Sequence, residues 1–67
     1  MNPTSFTRWL ADMKSAGLAR SDAEAARLLG ISANSVVSMK RDGAKGAAAQ
    51  RTALACRALL HRLQPYE

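Results

Sequence analysis

The sequence predicts a small all-α domain of four or five helices. Alanine and other helix formers are abundant, whereas β-branched residues are few and never alternate with polar residues over the length of a strand. Glycines, prolines and capping residues divide the 67 residues into short segments with apolar residues at helical spacing. A chain of this length has a thin core, so residues 1–67 are assigned to a single domain.

The first helix is predicted from about Ser5 to Ala16. Pro3 and Thr4 are start signals, and Gly17 is a natural stop because it adopts the left-handed conformation at little cost. Spacings of three and four residues place the apolar side chains on one face. These are Phe6, Trp9, Leu10 and Met13.

The second helix is predicted to begin at Ser21, because the sequence SDAE forms a capping box in which the serine hydroxyl accepts from a helix amide. Its inward-facing residues are Ala25, Leu28 and Leu29. The third helix is predicted to begin at a second cap, Ser32, and to run to about Arg41. The last helix is predicted over about residues 47–63, before Pro65. Its inward stripe comprises Ala49, Thr52, Ala53, Cys56, Leu59, Leu60 and Leu63.

A single glycine separates the second helix from the third. Gly30 provides the positive φ of a tight turn, and the small Ala26 allows a close approach of the two helices. Ala26, Gly30, Val36 and Met39 stand at i, i+4, i+10 and i+13. This spacing is typical of a helix-turn-helix motif, here at about residues 22–41, although an ordinary corner between two helices is the alternative.

The stretch DAEAARLLGISANSVVSMKRDG resembles the Cro/CI (lambda-repressor-like) helix-turn-helix family. The similarity to its short phage- and prophage-type regulators extends over about residues 5–66, and it implies a lambda-repressor-like fold that binds double-stranded DNA. Two positions depart from the pattern. Met39 stands where these regulators often carry tryptophan, and Asp22 where the family often has a glutamine beside a phosphate.

The third helix of such a motif enters the major groove and reads base edges. Asparagine suits adenine and an exposed valine suits the thymine methyl group, whereas local backbone bonding and peripheral packing are the alternatives. The predicted base-contacting residues are Ser32, Ala33, Asn34, Ser35, Val37 and Ser38. The predicted phosphate-contacting residues are Lys40, Arg41, Lys45 and Arg51.

The charge distribution agrees with a polyanionic partner. The chain carries a net charge of +5, and residues 40–62 alone hold six cationic side chains against one carboxylate. A solvated basic surface is the other interpretation. Because one recognition helix reads only a few base pairs, we expect a homodimer with two such helices about 34 Å apart. The residues expected at the dimer contact are Leu54, Ala58, Leu59, Leu63 and Tyr66.

These patterns favour a sequence-specific transcriptional regulator, a dimeric repressor or autorepressor that occludes an inverted-repeat operator, of the phage or anti-CRISPR-associated type. The alternative is a protein-interaction module on the same scaffold, such as an antitoxin or anti-defence factor. One cysteine and one histidine provide neither a disulfide nor a zinc site, and no acid/base pair can be assembled, so we expect no enzyme and no cofactor. No apolar run approaches the roughly 18 residues of a membrane span. We expect a cytoplasmic protein with no small-molecule ligand.

Overall fold

The computed structural model describes residues 1–64, and this part of the chain contains four α-helices and no β-strand. The helices are α1 (Pro3–Ser15), α2 (Asp22–Leu29), α3 (Ala33–Asp42) and α4 (Ala48–Leu60). The prediction of an all-α chain is therefore confirmed. None of the four helices combines the length and apolar character that a bilayer-spanning segment requires.

Helix α1 begins two residues earlier than predicted because Asn2 caps it. The Asn2 side chain accepts a hydrogen bond from the Ser5 amide at 2.7 Å. Pro3 then occupies the first helical position, where its missing N–H leaves no hydrogen bond unmade. The predicted apolar face is confirmed, since Phe6, Trp9, Leu10 and Met13 are all buried.

The core lies where α1 meets the other three helices. The Phe6 and Trp9 rings stack with their centroids 5.7 Å apart, and the Trp9 indole donates to the Cys56 carbonyl of α4 at 2.8 Å. Burial raises the pKa of the Cys56 thiol to about 11, consistent with its predicted place in the interior. The buried residues are Phe6, Trp9, Leu10, Met13, Ala19, Ala25, Ala26, Val36 and Cys56.

Helix α2 and the junction that follows it have the predicted caps. Ser21 accepts from the Glu24 amide at 3.2 Å, and Gly30 closes α2 with φ +80°. The Ile31 amide donates back to the Ala26 carbonyl at 3.0 Å, so the chain leaves the helix in a Schellman arrangement. Residues 30–32 therefore separate α2 from α3, as the glycine and the second serine cap predict.

Leu28 of α2 does not face inward as predicted, because 48% of it is exposed. It lies at the rim of a shallow groove whose other apolar lining residues include Met13, Leu18, Leu59 and Leu63. Only Ala25 and Ala26 of α2 are buried, and the partly buried Leu29 also packs against the core. The contact between α2 and the core is thus made through two small side chains and Leu29, while Leu28 stays at the edge.

The connection between α3 and α4 packs against the start of the chain. The Ala44 amide donates to the Met1 carbonyl at 2.9 Å, and the buried Gly43 adopts φ +77° and ψ −177°. A Cβ atom on Gly43 would lie 2.5 Å from the Met1 oxygen and 3.1 Å from the Asn2 backbone. Gly43 is therefore required by both its backbone conformation and the close approach of residues 1–2.

Helix α4 ends at Leu60, three residues before the predicted end. Arg62 adopts φ +59°, its amide donates to Leu59 at 3.0 Å, and the Leu63 amide donates to Ala58 at 2.9 Å. These bonds form a second Schellman closure, with an arginine in the position that usually holds glycine. The prediction that the helix extends to Leu63 is wrong because this closure stops it, not Pro65.

Replacing Arg62 with glycine should raise the free energy of unfolding by about 0.5–1 kcal/mol, because glycine adopts a left-handed conformation without the Cβ strain of arginine. The same substitution at Arg57, inside α4, should lower it by about 1 kcal/mol. Urea unfolding followed by circular dichroism measures both. A loss of stability in Arg62→Gly would contradict the strained closure.

Candidate nucleic-acid interface

Helix α3 presents one face to the core and the opposite face to solvent. Val36 is buried and Met39 packs against the core. The neighbouring Val37 is 63% exposed, although it has the same side chain as Val36. The predicted base-contacting residues that are exposed on or beside α3 are Ser32, Ala33, Asn34, Val37 and Ser38. The solvent face of α3 is therefore polar except for one alanine and one valine.

Two of the predicted base-contacting serines contact each other. The Ser32 hydroxyl accepts from the Ser35 amide at 3.1 Å, which caps α3, and the two hydroxyl oxygens lie 3.0 Å apart. Ser35 is half-buried. Ser32 thus has a structural role in addition to any contact with a partner. Within residues 1–64, the side chains of Asn34, Val37 and Ser38 form no such bond.

The predicted phosphate-contacting residues surround the C-terminal end of α3 and the link that follows it. Arg41 is 72% exposed and donates from Nε to the Asp42 carboxylate at 3.1 Å. Lys45 and Arg51 are exposed, in the link and on α4. Helix α4 begins without a side-chain cap and with no acidic residue in its first turn. This edge of the molecule therefore combines cationic side chains with the positive end of a helix dipole.

Lys40 is part of an ion-pair cluster that connects three helices. Its ammonium donates to Asp22 Oδ2 at 3.0 Å, while the ammonium of Lys14 lies 2.7 Å from Oδ1 of the same carboxylate. We call these three residues the Lys14–Asp22–Lys40 cluster. The adjacent ammonium groups of Lys14 and then Lys40 lower the pKa of Asp22 below its ordinary value, so the carboxylate is ionised at neutral pH.

The lowered pKa of Asp22 predicts a loss of stability in acid. Because the folded-state pKa lies below the unfolded one, the cluster stabilises the fold above about pH 4, and this contribution disappears as the pH falls through the folded-state value. The difference in urea midpoint between wild type and Asp22→Asn should therefore be largest at pH 5–7 and shrink as the pH falls below about 4. A difference independent of pH would contradict this role of the carboxylate.

The residues predicted at a dimer contact lie in different environments. Leu54 is 61% exposed on α4, and Leu63, beyond the end of α4, is 62% exposed. Leu59 packs against the core and Ala58 is half-buried. Tyr66 lies outside the described residues. The apolar surface that could contact a second molecule therefore includes Leu54 on α4 and, in a different place, Leu63, which lines the same groove as Leu28.

Comparison with known proteins found no relative of this chain. It matches no protein-family model, no curated protein and no solved structure. Within residues 1–64, no group of three or more His, Cys, Asp or Glu side chains is placed to hold a metal ion.

Proposed function

We propose that this chain is a sequence-specific double-stranded DNA-binding regulator that reads the major groove with α3. The observation that supports this most is the division of α3, in which Val36 and Met39 face the core and Asn34, Val37 and Ser38 face solvent. The close α2–α3 junction at Gly30 also supports the proposal, because a helix-turn-helix motif requires a short turn of this kind. The chain is also strongly basic, with a sequence pI of about 10.4.

In this arrangement the N-terminal half of α3 lies against base edges. Asn34 has a donor and an acceptor that match the N6 and N7 atoms of adenine, and Val37 provides an apolar contact for a thymine methyl group. Ala33 and Ser38 lie on the same exposed side. Ser32 and Ser35 stabilise the start of the helix, so their contribution to base reading is through the position of α3 as well as through their hydroxyl groups.

The cationic edge fixes the register of the helix on the duplex. Arg41, Lys45 and Arg51 are exposed and are assigned to phosphates, which give affinity without sequence information. Each such contact should add about 0.9 to the magnitude of the slope of log K against log salt concentration. Lys40 is also assigned to the phosphates of the DNA backbone, and its ion pair with Asp22 competes with that contact.

A single copy of α3 covers too few base pairs for a specific operator, so the proposed form is a homodimer on an inverted repeat. Leu54 and Leu63 are the exposed apolar residues assigned to contact between copies. We propose that such a dimer represses or autorepresses transcription by occluding the promoter, without catalysis, cofactor or small-molecule ligand. This mechanism requires only that the protein occupies its site on the DNA.

The decisive experiment is selection of binding sites from random duplexes, followed by a mobility-shift assay on the enriched site at several salt concentrations. A palindromic consensus with strongly salt-dependent affinity is the expected result. Failure to enrich any sequence, together with weak salt dependence, would contradict the proposal. That outcome would favour the alternative function, a protein-interaction module of the antitoxin or anti-defence kind.

Replacing Asn34 with alanine should relax the sequence preference at one position in each half-site, because a bidentate base contact contributes about 1–3 kcal/mol of discrimination. Replacing Arg41 with glutamine should instead weaken binding to all sequences similarly and reduce the salt slope by about 0.9. Repeating the selection with each variant separates the two roles. Unchanged preference in Asn34→Ala would show that this residue does not read a base.

A further inference from the structure

The Lys14–Asp22–Lys40 cluster holds two cationic side chains against an internal carboxylate at the edge of the interface. We propose that Asp22 limits the affinity of this chain for DNA of arbitrary sequence by withholding Lys14 and Lys40 from phosphates. The inference rests on the proposed function and adds a residue that limits affinity for the DNA backbone without contacting a base. It also identifies Lys14 of α1 as a latent phosphate contact.

The position of the cluster in the fold places it near the duplex backbone. Asp22 is the first residue of α2, and Lys40 lies in the last turn of α3, next to Arg41. When the second helix of such a motif occupies the major groove, the first helix crosses the sugar–phosphate backbone. The two ammonium groups are therefore close to phosphates, and their side chains remain 45% and 44% exposed.

The electrostatic effect follows from the charges of the three groups. Two ammonium groups and one carboxylate sum to +1, whereas the two lysines alone would present +2. The carboxylate also accepts a hydrogen bond from Lys40 and lies 2.7 Å from the Lys14 ammonium, so both lysines are oriented towards Asp22. A phosphate must compete with Asp22 for these ammonium groups and is repelled by the carboxylate as it approaches.

This competition weakens binding to DNA of any sequence. Non-specific affinity comes almost entirely from phosphate contacts, and specific affinity includes such contacts in addition to the base contacts of α3. Because the base contacts do not involve the cluster, withholding the two lysines lowers both affinities by a similar factor and leaves the discrimination between sequences to α3. Asp22 therefore limits the affinity for the DNA backbone.

The test compares Asp22→Asn with Glu24→Gln on a duplex of random sequence over a range of salt concentrations. Both substitutions remove one negative charge from the first turn of α2, but Glu24 belongs to none of the ion pairs within residues 1–64. We expect Asp22→Asn to bind the random duplex roughly tenfold more tightly at about 0.1 M salt, and its salt slope to steepen by about 0.9–1.8. Glu24→Gln should change both quantities much less.

Adding Lys14→Gln to each background tests the latent contact directly. In the wild-type background this substitution should leave the salt slope nearly unchanged, whereas in Asp22→Asn it should reduce the slope by about 0.9. Thermal unfolding of each variant, followed by circular dichroism, shows whether the variant is folded at the temperature of the binding assay.

Three results would overturn the inference. Equal slopes for Asp22→Asn and Glu24→Gln would show that the cluster has no specific effect, and weaker binding by Asp22→Asn would show that the carboxylate positions the lysines instead of withholding them. In both cases the proposed function stands, because the wild-type protein binds DNA. If the wild-type protein binds no duplex at any salt concentration, the proposed function is wrong and this inference falls with it.

Discussion

Replacing Gly43 with alanine should lower the free energy of unfolding by about 3 kcal/mol or more. Two costs combine at this position. A φ of +77° with ψ −177° lies in a region that is essentially confined to glycine, which costs about 1–3 kcal/mol for another residue. The new Cβ would also lie 2.5 Å from the Met1 carbonyl oxygen, a backbone atom that cannot rotate away.

Gly46 provides a matched control in the same link. It also has a positive φ, +66°, but a Cβ atom there meets nothing within 4 Å. Gly46→Ala should therefore cost only the conformational strain, about 1–2 kcal/mol. Urea unfolding of both variants, followed by circular dichroism, measures the difference between them. Equal destabilisation would mean that the approach of residues 1–2 to Gly43 adds nothing to the strain of the backbone.

The parts of the fold that depend on neighbouring residues in sequence were predictable. A serine cap bonds to an amide three residues later, and a glycine closes a helix within one turn. The structural roles of Ser21, Gly30 and Ser32 can therefore be predicted from the residues next to them in sequence. The helical period likewise separates Val36 from Val37, because adjacent residues on a helix point about 100° apart. The order and the number of helices in residues 1–64 follow from such local signals.

The contacts that depend on distant residues were not predictable. Lys14 is separated from Asp22 by one loop and Lys40 by most of two helices, so their convergence follows only from the way α1 and α3 pack beside the start of α2. The bond from the Trp9 indole to the Cys56 carbonyl spans 47 residues. Neither contact has a sequence signal, although Asp22 stands out as an acid where a phosphate contact is expected.

The end of α4 was wrongly predicted for a different reason. An apolar stripe at helical spacing continues to Leu63, and the first strong helix breaker after that stripe is Pro65. The chain instead turns at Arg62, a residue with no intrinsic preference for a positive φ. The closing bonds to Ala58 and Leu59 stabilise that turn, so the pattern of apolar residues extends beyond the helix that it predicts.

Val37→Glu tests the proposed function with the largest expected loss of binding. Val37 is 63% exposed in the middle of α3, and glutamate has a high helix propensity, so the fold should tolerate the change. On the proposed interface the new carboxylate would enter the major groove between two rows of phosphates. Like charges brought together in an interface cost several kcal/mol, which corresponds to a loss of affinity of at least about 100-fold.

Leu54→Glu is the matched control, because Leu54 is 61% exposed and the substitution makes the same change of charge on α4. A duplex with one half-site and a duplex with the full palindrome separate the two roles. Val37→Glu should abolish binding to both, since each copy of α3 loses its fit to the groove. Leu54→Glu should bind the half-site nearly as wild type and lose affinity only for the palindrome, where contact between copies contributes. Equal losses on the half-site would mean that the added charge, and not the position on α3, weakens binding, and α3 could then no longer be assigned to the groove.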